Sequence, residues 1–329
     1  MLFRSNDGLE DGGGLIASEE ESLVMKSCRL RGNSAGEAGG ALHVSHGAQV
    51  QASGTMYSEN VAYGSLVGGG ALYADTGSTV SCEGDLFESN RASQGSGGGV
   101  YMNGLSELTC SSCLIQNNTA YSDGGGLYTM SSVVSLENVD IRRNEATCGG
   151  GVYSPLDSDL VIVNSLLDSN VASISGGGLY TNASISCKIY DSVFRNNSAL
   201  SANGGGAYLV SSLTSSNSGR RSAFFSNLSF VDNSAMNGGG GGIFRSGNVS
   251  VTVWNSSFWS NTGLEGGGLY LVNGSSAFTN VSLISNDGLE DGGGLIASEE
   301  ESLVMKSCRL RGNSAGEAGG ALHVRDRKS

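Results

Sequence analysis

The chain has 329 residues and a net charge of −13 at pH 7, which argues against nucleic acid and anionic membrane surfaces as partners. Its 53 glycines do not recur at every third position, which excludes a collagen triple helix, and the short apolar runs between them argue against disorder. No run of 18 or more apolar residues occurs, so the sequence predicts no membrane-spanning segment.

From its first residues onward the sequence repeats, with a period that is mostly 25 to 30 residues and one interval of 36. In each repeat a large apolar residue lies three positions before an asparagine, and Ala or Gly lies two positions after it. A Gly-Gly-Gly or Gly-Gly-Ala run follows in the same repeat. Such a period is typical of stacked repeat architectures. The repeated asparagines are Asn6, Asn33, Asn60, Asn90, Asn118, Asn144, Asn170, Asn197, Asn233, Asn261, Asn286 and Asn313.

One period, from Gly124 to Ala146, contains three short apolar segments separated by Ser, Asn, Glu or Gly. Each segment alternates roughly with period two, as half-buried strands do, and none is long enough for a helix. The sequence therefore predicts an all-β fold. We expect a right-handed parallel β-helix solenoid of about 12 coils of 25–30 residues, with three short strands per coil.

Stacking of the coils assigns a role to each repeated position. The apolar residues before the asparagines form one buried row: Phe3, Leu30, Tyr57, Phe87, Ile115, Ile141, Leu167, Phe194, Phe230, Phe258, Leu283 and Leu310. The asparagine side chains carry both donors and an acceptor, so they can hydrogen-bond to one another along the stack. Asparagine also tolerates the left-handed backbone that a sharp bend requires. We therefore predict a structural asparagine ladder.

The segment Phe87 to Ala92 (FESNRA), followed by Gly97 to Tyr101 (GGGVY), resembles the repeat of chlamydial polymorphic outer membrane proteins. In that family Phe-x-x-Asn and Gly-Gly-Ala-Ile units mark the passenger of surface-exposed autotransporters. The general pattern also resembles the right-handed parallel β-helix of pectate-lyase-like proteins. The resemblance covers essentially the whole chain and implies a solenoid more than a function. Only five repeats here carry the Phe, and no autotransporter barrel is present.

Residues 1–329 are interpreted as a single solenoid and as a piece of a longer chain, because Phe3 and Asn6 already stand at their repeat positions. Residues 5–44 and 285–324 are identical over 40 positions. Identity at positions expected to face solvent indicates either a recent duplication or an assembly artefact, and both remain open. The interval of 36 residues, which includes Arg220 and Arg221, is expected to loop out and shape a local surface.

The sequence offers no convincing catalytic, metal or cofactor site. Of the three histidines, His43 and His323 are equivalent residues of the duplicated segment at a position otherwise held by Tyr, which predicts a packed ring; the third is His46. Asp157 and Asp159 provide oxygen atoms for calcium, but two carboxylates in a turn are more often solvated. The glycine runs recur in every repeat and are architectural. We therefore expect no catalytic residues, no metal and no cofactor.

Seven cysteines are present, including a Cys110-x-x-Cys113 pair that lacks the second pair or the histidines of a zinc site. Cys82 and Cys110 each lie eight residues before their asparagine, in adjacent repeats. They are predicted to be buried thiols or to bridge adjacent coils by a disulfide, and the odd total leaves one thiol free.

One set of asparagines suggests an extracellular or cell-surface protein. Asn-x-Ser/Thr sequences are candidate N-glycosylation sites, and none is a ladder asparagine. They occur at Asn117, Asn182, Asn196, Asn227, Asn248, Asn255, Asn273 and Asn280. An aromatic residue follows most glycine runs and, by alternation, faces outward as a candidate glycan-binding stripe or a stabilising ladder. This stripe comprises Tyr73, Tyr101, Tyr128, Tyr153, Tyr180, Tyr208, Phe244 and Tyr270.

The sequence thus favours a non-catalytic structural or adhesive β-helix rod, secreted or on the cell surface, with cell-surface proteins or glycans as partners. Two alternatives stay open. One is a carbohydrate-active enzyme, a polysaccharide lyase or glycoside hydrolase. The other is a glycan-binding module without catalysis.

Overall fold

The computed structural model describes residues 1–155, 158–182, 186–211, 221–300 and 302–325. These residues form strands and turns, and no helix is present among them. The chain divides into two compact units, Met1–Val161 and Ile162–Ser329. Each unit is an all-β parallel solenoid with three sheets, named A, B and C below.

Sheet A contains the buried apolar row, and its strands pair in parallel from one coil to the next. In the first unit they are Leu2–Arg4, Arg29–Arg31, Met56–Ser58, Leu86–Glu88, Leu114–Gln116 and Asp140–Arg142. In the second unit they are Leu166–Asp168, Val193–Arg195, Ser229–Val231, Ser257–Trp259, Ser282–Ile284 and Arg309–Arg311. The register aligns the predicted apolar residues, as in Leu30 with Tyr57 and Phe230 with Phe258.

Sheet B follows each ladder asparagine and consists of short strands. In the first unit they are Asp7–Gly8, Ser34–Ala35, Val61–Ala62, Arg91–Ala92, Thr119–Ala120 and Glu145–Cys148. In the second unit they are Val171–Ser175, Ser198–Ala199, Ser234–Gly239, Thr262–Glu265, Asp287–Asp291 and Ser314–Ala315. The Ala or Gly of the repeat points inward here, so that Ala92, Ala120 and Ala146 pack on one another.

Sheet C follows the glycine runs and carries the most residues. In the first unit its strands are Leu15–Ala17, Ser22–Lys26, Leu42–Val44, Gln49–Ser53, Leu72–Ala74, Thr79–Glu83, Val100–Met102, Glu107–Ser111, Leu127–Thr129, Val133–Glu137 and Val152–Ser154. The strand Asp159–Val163 contains the division between the units. In the second unit they are Leu179–Asn182, Ser186–Tyr190, Ala207–Val210, Arg221–Ser226, Ile243–Trp254, Leu269–Thr279, Leu295–Ser298, Ser302–Lys306 and Leu322–Arg325.

The core lies inside the coils, because alternate side chains of most strands point inward. In Val133–Glu137, for example, Val134 and Leu136 are fully buried while Val133 and Glu137 are exposed. Rings of the apolar row stack almost face to face: the Tyr57 and Phe87 centroids are 4.6 Å apart at 1°, and those of Phe230 and Phe258 are 4.8 Å apart at 2°.

The bend beside each ladder asparagine is made by the residue before it, not by the asparagine. Ser89, Asn117 and Arg143 have φ of 54°, 55° and 53°, whereas their ladder neighbours do not have positive φ. The ladder asparagines therefore do not adopt the left-handed conformation that asparagine tolerates. Their side chains are held by the hydrogen bonds described below, and the preceding residue turns the chain.

Glycine is required in the runs for two different reasons, shown by Gly124 and Gly125. Gly124 has φ of +68°, and a Cβ there would lie 2.7 Å from the Leu127 carbonyl oxygen. At Gly125 a Cβ would lie 2.5 Å from the Gly150 carbonyl oxygen, because adjacent coils approach closely there. Of the two arginines in the 36-residue interval, Arg220 lies outside the described residues, and Arg221 begins the strand Arg221–Ser226.

Candidate functional site

The asparagines of the first unit form a continuous series of hydrogen bonds. The Asn60 Nδ2 donates to Asn90 Oδ1 and to the Leu30 carbonyl oxygen, both at 2.9 Å, and the Asn60 main-chain N–H donates to the same Oδ1 at 3.1 Å. The same side-chain bond, at 2.8–3.0 Å, joins Asn6 to Asn33, Asn33 to Asn60, Asn90 to Asn118, and Asn118 to Asn144.

The second unit repeats this arrangement from Asn170 to Asn313. Side-chain bonds of 2.9–3.0 Å join Asn170 to Asn197, Asn197 to Asn233, Asn233 to Asn261, Asn261 to Asn286, and Asn286 to Asn313. Every amide between the ends both donates and accepts within its unit. The ladder is therefore positioned to hold coils together and leaves no group to offer a ligand.

The aromatic residues after the glycine runs stack on one another in the first unit. Ring centroids are 5.2 Å apart for Tyr73 and Tyr101, 4.5 Å for Tyr101 and Tyr128, and 5.4 Å for Tyr128 and Tyr153. In the second unit the distances are 4.8 Å for Tyr180 and Tyr208, 5.2 Å for Tyr208 and Phe244, and 5.3 Å, edge to face, for Phe244 and Tyr270.

These rings are less accessible than alternation alone predicts. Tyr73 and Tyr101 are 5% and 3% exposed, because each covers the face of the next ring and because Ala38 and Val67 pack against them. Both covering residues belong to the segments before the glycine runs. Ring faces used in this way cannot also stack on a sugar, so the geometry favours the stabilising ladder for this stripe.

Six of the eight candidate glycosylation asparagines are exposed: Asn117, Asn196, Asn227, Asn248, Asn255 and Asn280. Asn182 and Asn273 are half-buried. Several occupy turns with positive φ, and Asn280 donates a hydrogen bond of 2.9 Å to Asn255 Oδ1 in the neighbouring coil. These turns are accessible to a modifying enzyme.

Cys28, Cys82, Cys110, Cys113, Cys187 and Cys308 are free thiols. Cys82 and Cys110 are buried and face each other in adjacent coils, as the repeat predicted, without a disulfide. Asp85 lies in the same part of the core, accepts the Thr55 main-chain N–H at 2.7 Å through Oδ1, and leaves Oδ2 buried and unpartnered. Burial raises the pKa of Asp85 to about 6, because a buried carboxylate loses its hydration.

A cleft of about 400 Å³ lies on the first unit, and we call it the His43 cleft; it is lined by Asp11, Ile16, Ser18, Glu19, His43, Ser45, His46 and Asp75. His43 is only 8% exposed, and its ring packs 4.9 Å from that of Tyr73. Its Nδ1 lies 3.4 Å from Asp11 Oδ1 but forms no hydrogen bond. The sequence predicted the packed ring but not the cleft around it.

The calcium candidate is only half described. Asp157 lies outside the described residues, and Asp159 is half-buried with Oδ1 unpartnered. Within the described ranges no group of three or more His, Cys, Asp or Glu side chains has the geometry of a metal site. Over those same ranges no helix has the length and apolarity needed to cross a membrane.

Sequence comparison agrees with this architecture. Residues 68–219 match the family model described as "Right handed beta helix region". The fold is a right-handed parallel β-helix. No curated protein and no solved structure shows significant similarity to the chain.

The β-helix exposes a second aromatic group in its second unit, which we call the Trp254 surface: Tyr190, Phe224 and Trp254. Trp254 is 49% exposed and ends the sheet C strand Ile243–Trp254. Trp259 is 56% exposed and ends the following strand, Ser257–Trp259, in sheet A. Ring centroids are 5.7 Å apart for Tyr190 and Phe224, and 6.4 Å for Phe224 and Trp254. Sequence reasoning missed this surface. The available signal was that both tryptophans of the chain occupy outward positions of their strands, next to buried Val253 and Phe258.

Proposed function

We propose that this β-helix is a non-catalytic structural or adhesive module of a secreted or cell-surface protein, and that it adheres through exposed aromatic residues, namely the Trp254 surface and Trp259. The exposure of Trp254 and Trp259 is the observation that carries the proposal. Tyr and Trp are enriched at the centres of protein interfaces, and contiguous exposed apolar groups mark interaction sites more often than single exposed residues do. The exposed sequon asparagines support the proposed location.

The hydrogen-bonded core supports the structural part of the proposal. In each unit the asparagine ladder and the stacked apolar rings tie successive coils together, so the outward side chains are held on a rigid frame. A rigid frame lowers the entropy lost when a surface binds its partner.

The test is adhesion of the labelled chain to candidate cells, comparing wild type with the double variant Trp254→Ser/Trp259→Ser. We expect binding to fall strongly while the circular dichroism spectrum and Tm stay unchanged. The matched control is Tyr121→Ser, which removes an aromatic residue of the first unit that is 73% exposed. Unchanged adhesion of the double variant, or equal loss in the control, contradicts the proposal.

A glycan is the second candidate, as the partner of this surface. Hydroxyl and amide side chains lie beside these rings: Thr252 pairs in register with Phe224, Ser226 pairs with Trp254, and Asn255 follows Trp254. Ser226 and Thr252 are half-buried, and Asn255 is exposed. A pyranose needs this combination, because its apolar face stacks on rings and its hydroxyl groups need donors and acceptors.

Treatment of the target surface separates the two partners. Periodate oxidation should abolish adhesion to a glycan and leave adhesion to a protein, whereas protease treatment should do the reverse. Assays of pectin and alginate depolymerisation, with and without calcium, address the enzyme alternative. Robust turnover would overturn the non-catalytic part of the proposal.

A further inference from the structure

The duplicated segments provide an internal comparison for the His43 cleft. The segments 5–44 and 285–324 are identical, so Asp11 corresponds to Asp291 and His43 to His323. The identity ends after Val44 and Val324, and the residue that follows is Ser45 in the first copy and Arg325 in the second. Any difference in local contacts beside the aspartate can therefore be traced to this exchange and to the neighbouring coils.

The aspartate is held in the same way in both copies. Asp11 Oδ1 accepts the Ala38 main-chain N–H at 3.0 Å, and Asp291 Oδ1 accepts that of Ala318 at 2.9 Å. The histidine Nδ1 lies 3.4 Å from Oδ1 in the first copy and 3.7 Å in the second. In both copies the backbone N–H thus holds Oδ1, and Oδ2 takes no part in that hydrogen bond.

The second copy shows what the available oxygen accepts. Arg325 Nη2 lies 2.5 Å from Asp291 Oδ2 and 2.7 Å from Glu265 Oε1, so one guanidinium bridges two carboxylates. This contact and the backbone bond hold the pKa of Asp291 below its usual range, against the opposing effect of its burial, which is the largest influence. The chain itself therefore places a guanidinium at this position.

In the first copy the corresponding position is open. Ser45 is too short to reach as Arg325 does, and among the described residues no donor contacts Asp11 Oδ2. Glu19 and Asp75 line the same cleft, so it carries three carboxylates and no lysine or arginine. Burial, followed by the charge of Asp75 and a smaller effect of Asp11, raises the pKa of the neighbouring Tyr73, consistent with a negative potential there.

A buried polar group also faces this space. His43 is 8% exposed, lines the cleft, and leaves Nδ1 without a hydrogen bond, and His323 Nδ1 also lacks one in the second copy. Buried polar atoms without partners are uncommon in native proteins and ask for an explanation. An acidic cleft with such a histidine, together with the equivalent residues that bind a guanidinium in the second copy, is a built site.

We propose that the His43 cleft binds a guanidinium group and that Asp11 Oδ2 is its principal acceptor. Asp291 Oδ2, the equivalent atom of the second copy, accepts the hydrogen bond from Arg325. The planar guanidinium forms directed, charge-assisted hydrogen bonds with carboxylates, which a simple ammonium or a neutral urea group does not reproduce. The group can belong to free arginine or to an arginine side chain of a peptide. This inference does not depend on the proposed adhesive function, since it concerns other residues.

The experiment is a calorimetric titration of the full chain with N-acetyl-L-arginine amide, with N-acetyl-L-citrulline amide as the neutral analogue of the same shape. We expect citrulline to bind at least about tenfold more weakly, because it lacks the charge that strengthens hydrogen bonds to a carboxylate. Free L-arginine and the peptide Gly-Arg-Gly then distinguish the source by which binds more tightly.

Three variants locate the site. Asp11→Asn keeps the Oδ1 acceptor for Ala38 and should weaken binding at least about tenfold. Ser45→Arg should also abolish binding, because the chain would then fill its own cleft. Asp291→Asn, the same substitution in the second copy, should leave binding unchanged. Equal binding of citrulline, unchanged binding by Asp11→Asn, or saturation by Ca²⁺ or Zn²⁺ with no response to arginine would overturn the proposal.

Discussion

The Arg245 guanidinium and the Glu300 carboxylate form a buried ion pair in the second unit, with Nη2 2.5 Å from Oε2. The Arg245 side chain is fully buried and that of Glu300 is 6% exposed. Arg245 also donates to the Val272 carbonyl oxygen at 3.0 Å and to Ser276 Oγ at 2.8 Å. Its neighbours in register are Leu209 and Leu271, so an arginine replaces an apolar residue of the core column.

Loss of Glu300 should destabilise the second unit. Glu300→Ala leaves the Arg245 charge buried without its counter-ion, and breaking such a pair typically costs about 3 kcal/mol or more. The free energy of unfolding in urea measures the effect. Glu20→Ala is the matched control, because Glu20 is the same residue of the duplicated segment and is exposed. An equal loss in both variants would show that the ion pair is not the cause.

Replacement of both charges should cost much less than replacement of Glu300 alone. Arg245→Leu restores the leucine column between Leu209 and Leu271, and Glu300→Gln removes the remaining charge. Buried ion pairs replaced by apolar residues are often nearly neutral in stability. We expect the double variant to unfold within about 1 kcal/mol of wild type. A double variant as unstable as Glu300→Ala would mean that packing, rather than charge, dominates at this position.

An interior ladder asparagine should be far more sensitive than its exposed neighbour. Asn118 donates to Asn144 Oδ1 and to the Phe87 carbonyl oxygen, both at 3.0 Å, and accepts from Asn90. Asn118→Ala leaves several buried groups unpaired and should lower the free energy of unfolding by about 3 kcal/mol or more. Asn117→Gly is the control, since Asn117 is exposed with φ of 55°, which glycine adopts readily. Similar losses in the two variants would contradict a structural role for the ladder.

The sequence predicted those parts of the fold that require the same side chain in every coil. A ladder works only if each Asn meets another Asn, so Asn60 and Asn90 recur at a fixed spacing that can be counted. The burial of the Tyr73 ring could not be predicted from the repeat spacing, because Ala38 and Val67, which pack against the stacked rings, come from segments that vary between repeats. Nor could the Arg245–Glu300 pair, since its partners are 55 residues apart and the identical Glu20 is exposed.

Neither candidate site follows the spacing of the repeats, and this distinguishes both sites from the scaffold. The Trp254 surface depends on rings that are offset along the strands, as Phe224 pairs in register with Thr252 rather than with Trp254. The His43 cleft depends on the exchange of Ser45 for Arg325 after 40 identical residues, and on Asp75 of the next coil. Periodicity locates the scaffold, whereas each candidate site arises where one coil departs from its neighbours.

Removal of the Tyr57 hydroxyl should stabilise the first unit. The ring is fully buried against Phe87, and its hydroxyl oxygen has no hydrogen-bond partner. An unpaired buried polar group costs about 1–3 kcal/mol, and Phe already occupies this position in other coils. Tyr57→Phe should therefore raise the free energy of unfolding by about 1 kcal/mol and raise Tm. Tyr121→Phe, at an exposed ring, should change neither; a Tyr57→Phe variant that is less stable than wild type would contradict the argument.

Asp85 should make the first unit less stable as the pH rises from about 4 to about 6. Burial raises the pKa of Asp85 to about 6 in the folded state, above the value of about 3.9 for an unfolded aspartate. Between these values the folded state binds more protons, so the free energy of unfolding falls with increasing pH and is then constant above the folded pKa.

The variant Asp85→Asn isolates this effect, because its Oδ1 can still accept the Thr55 N–H while the charge is absent. We expect it to match wild type near pH 4 and to be more stable by about 2–3 kcal/mol at pH 8, since each pKa unit corresponds to about 1.4 kcal/mol. Glu107→Gln, at an exposed carboxylate, should follow the wild-type pH dependence. A constant difference in the free energy of unfolding between Asp85→Asn and wild type from pH 4 to pH 8 would contradict this prediction. It would show that Asp85 keeps one protonation state throughout this range.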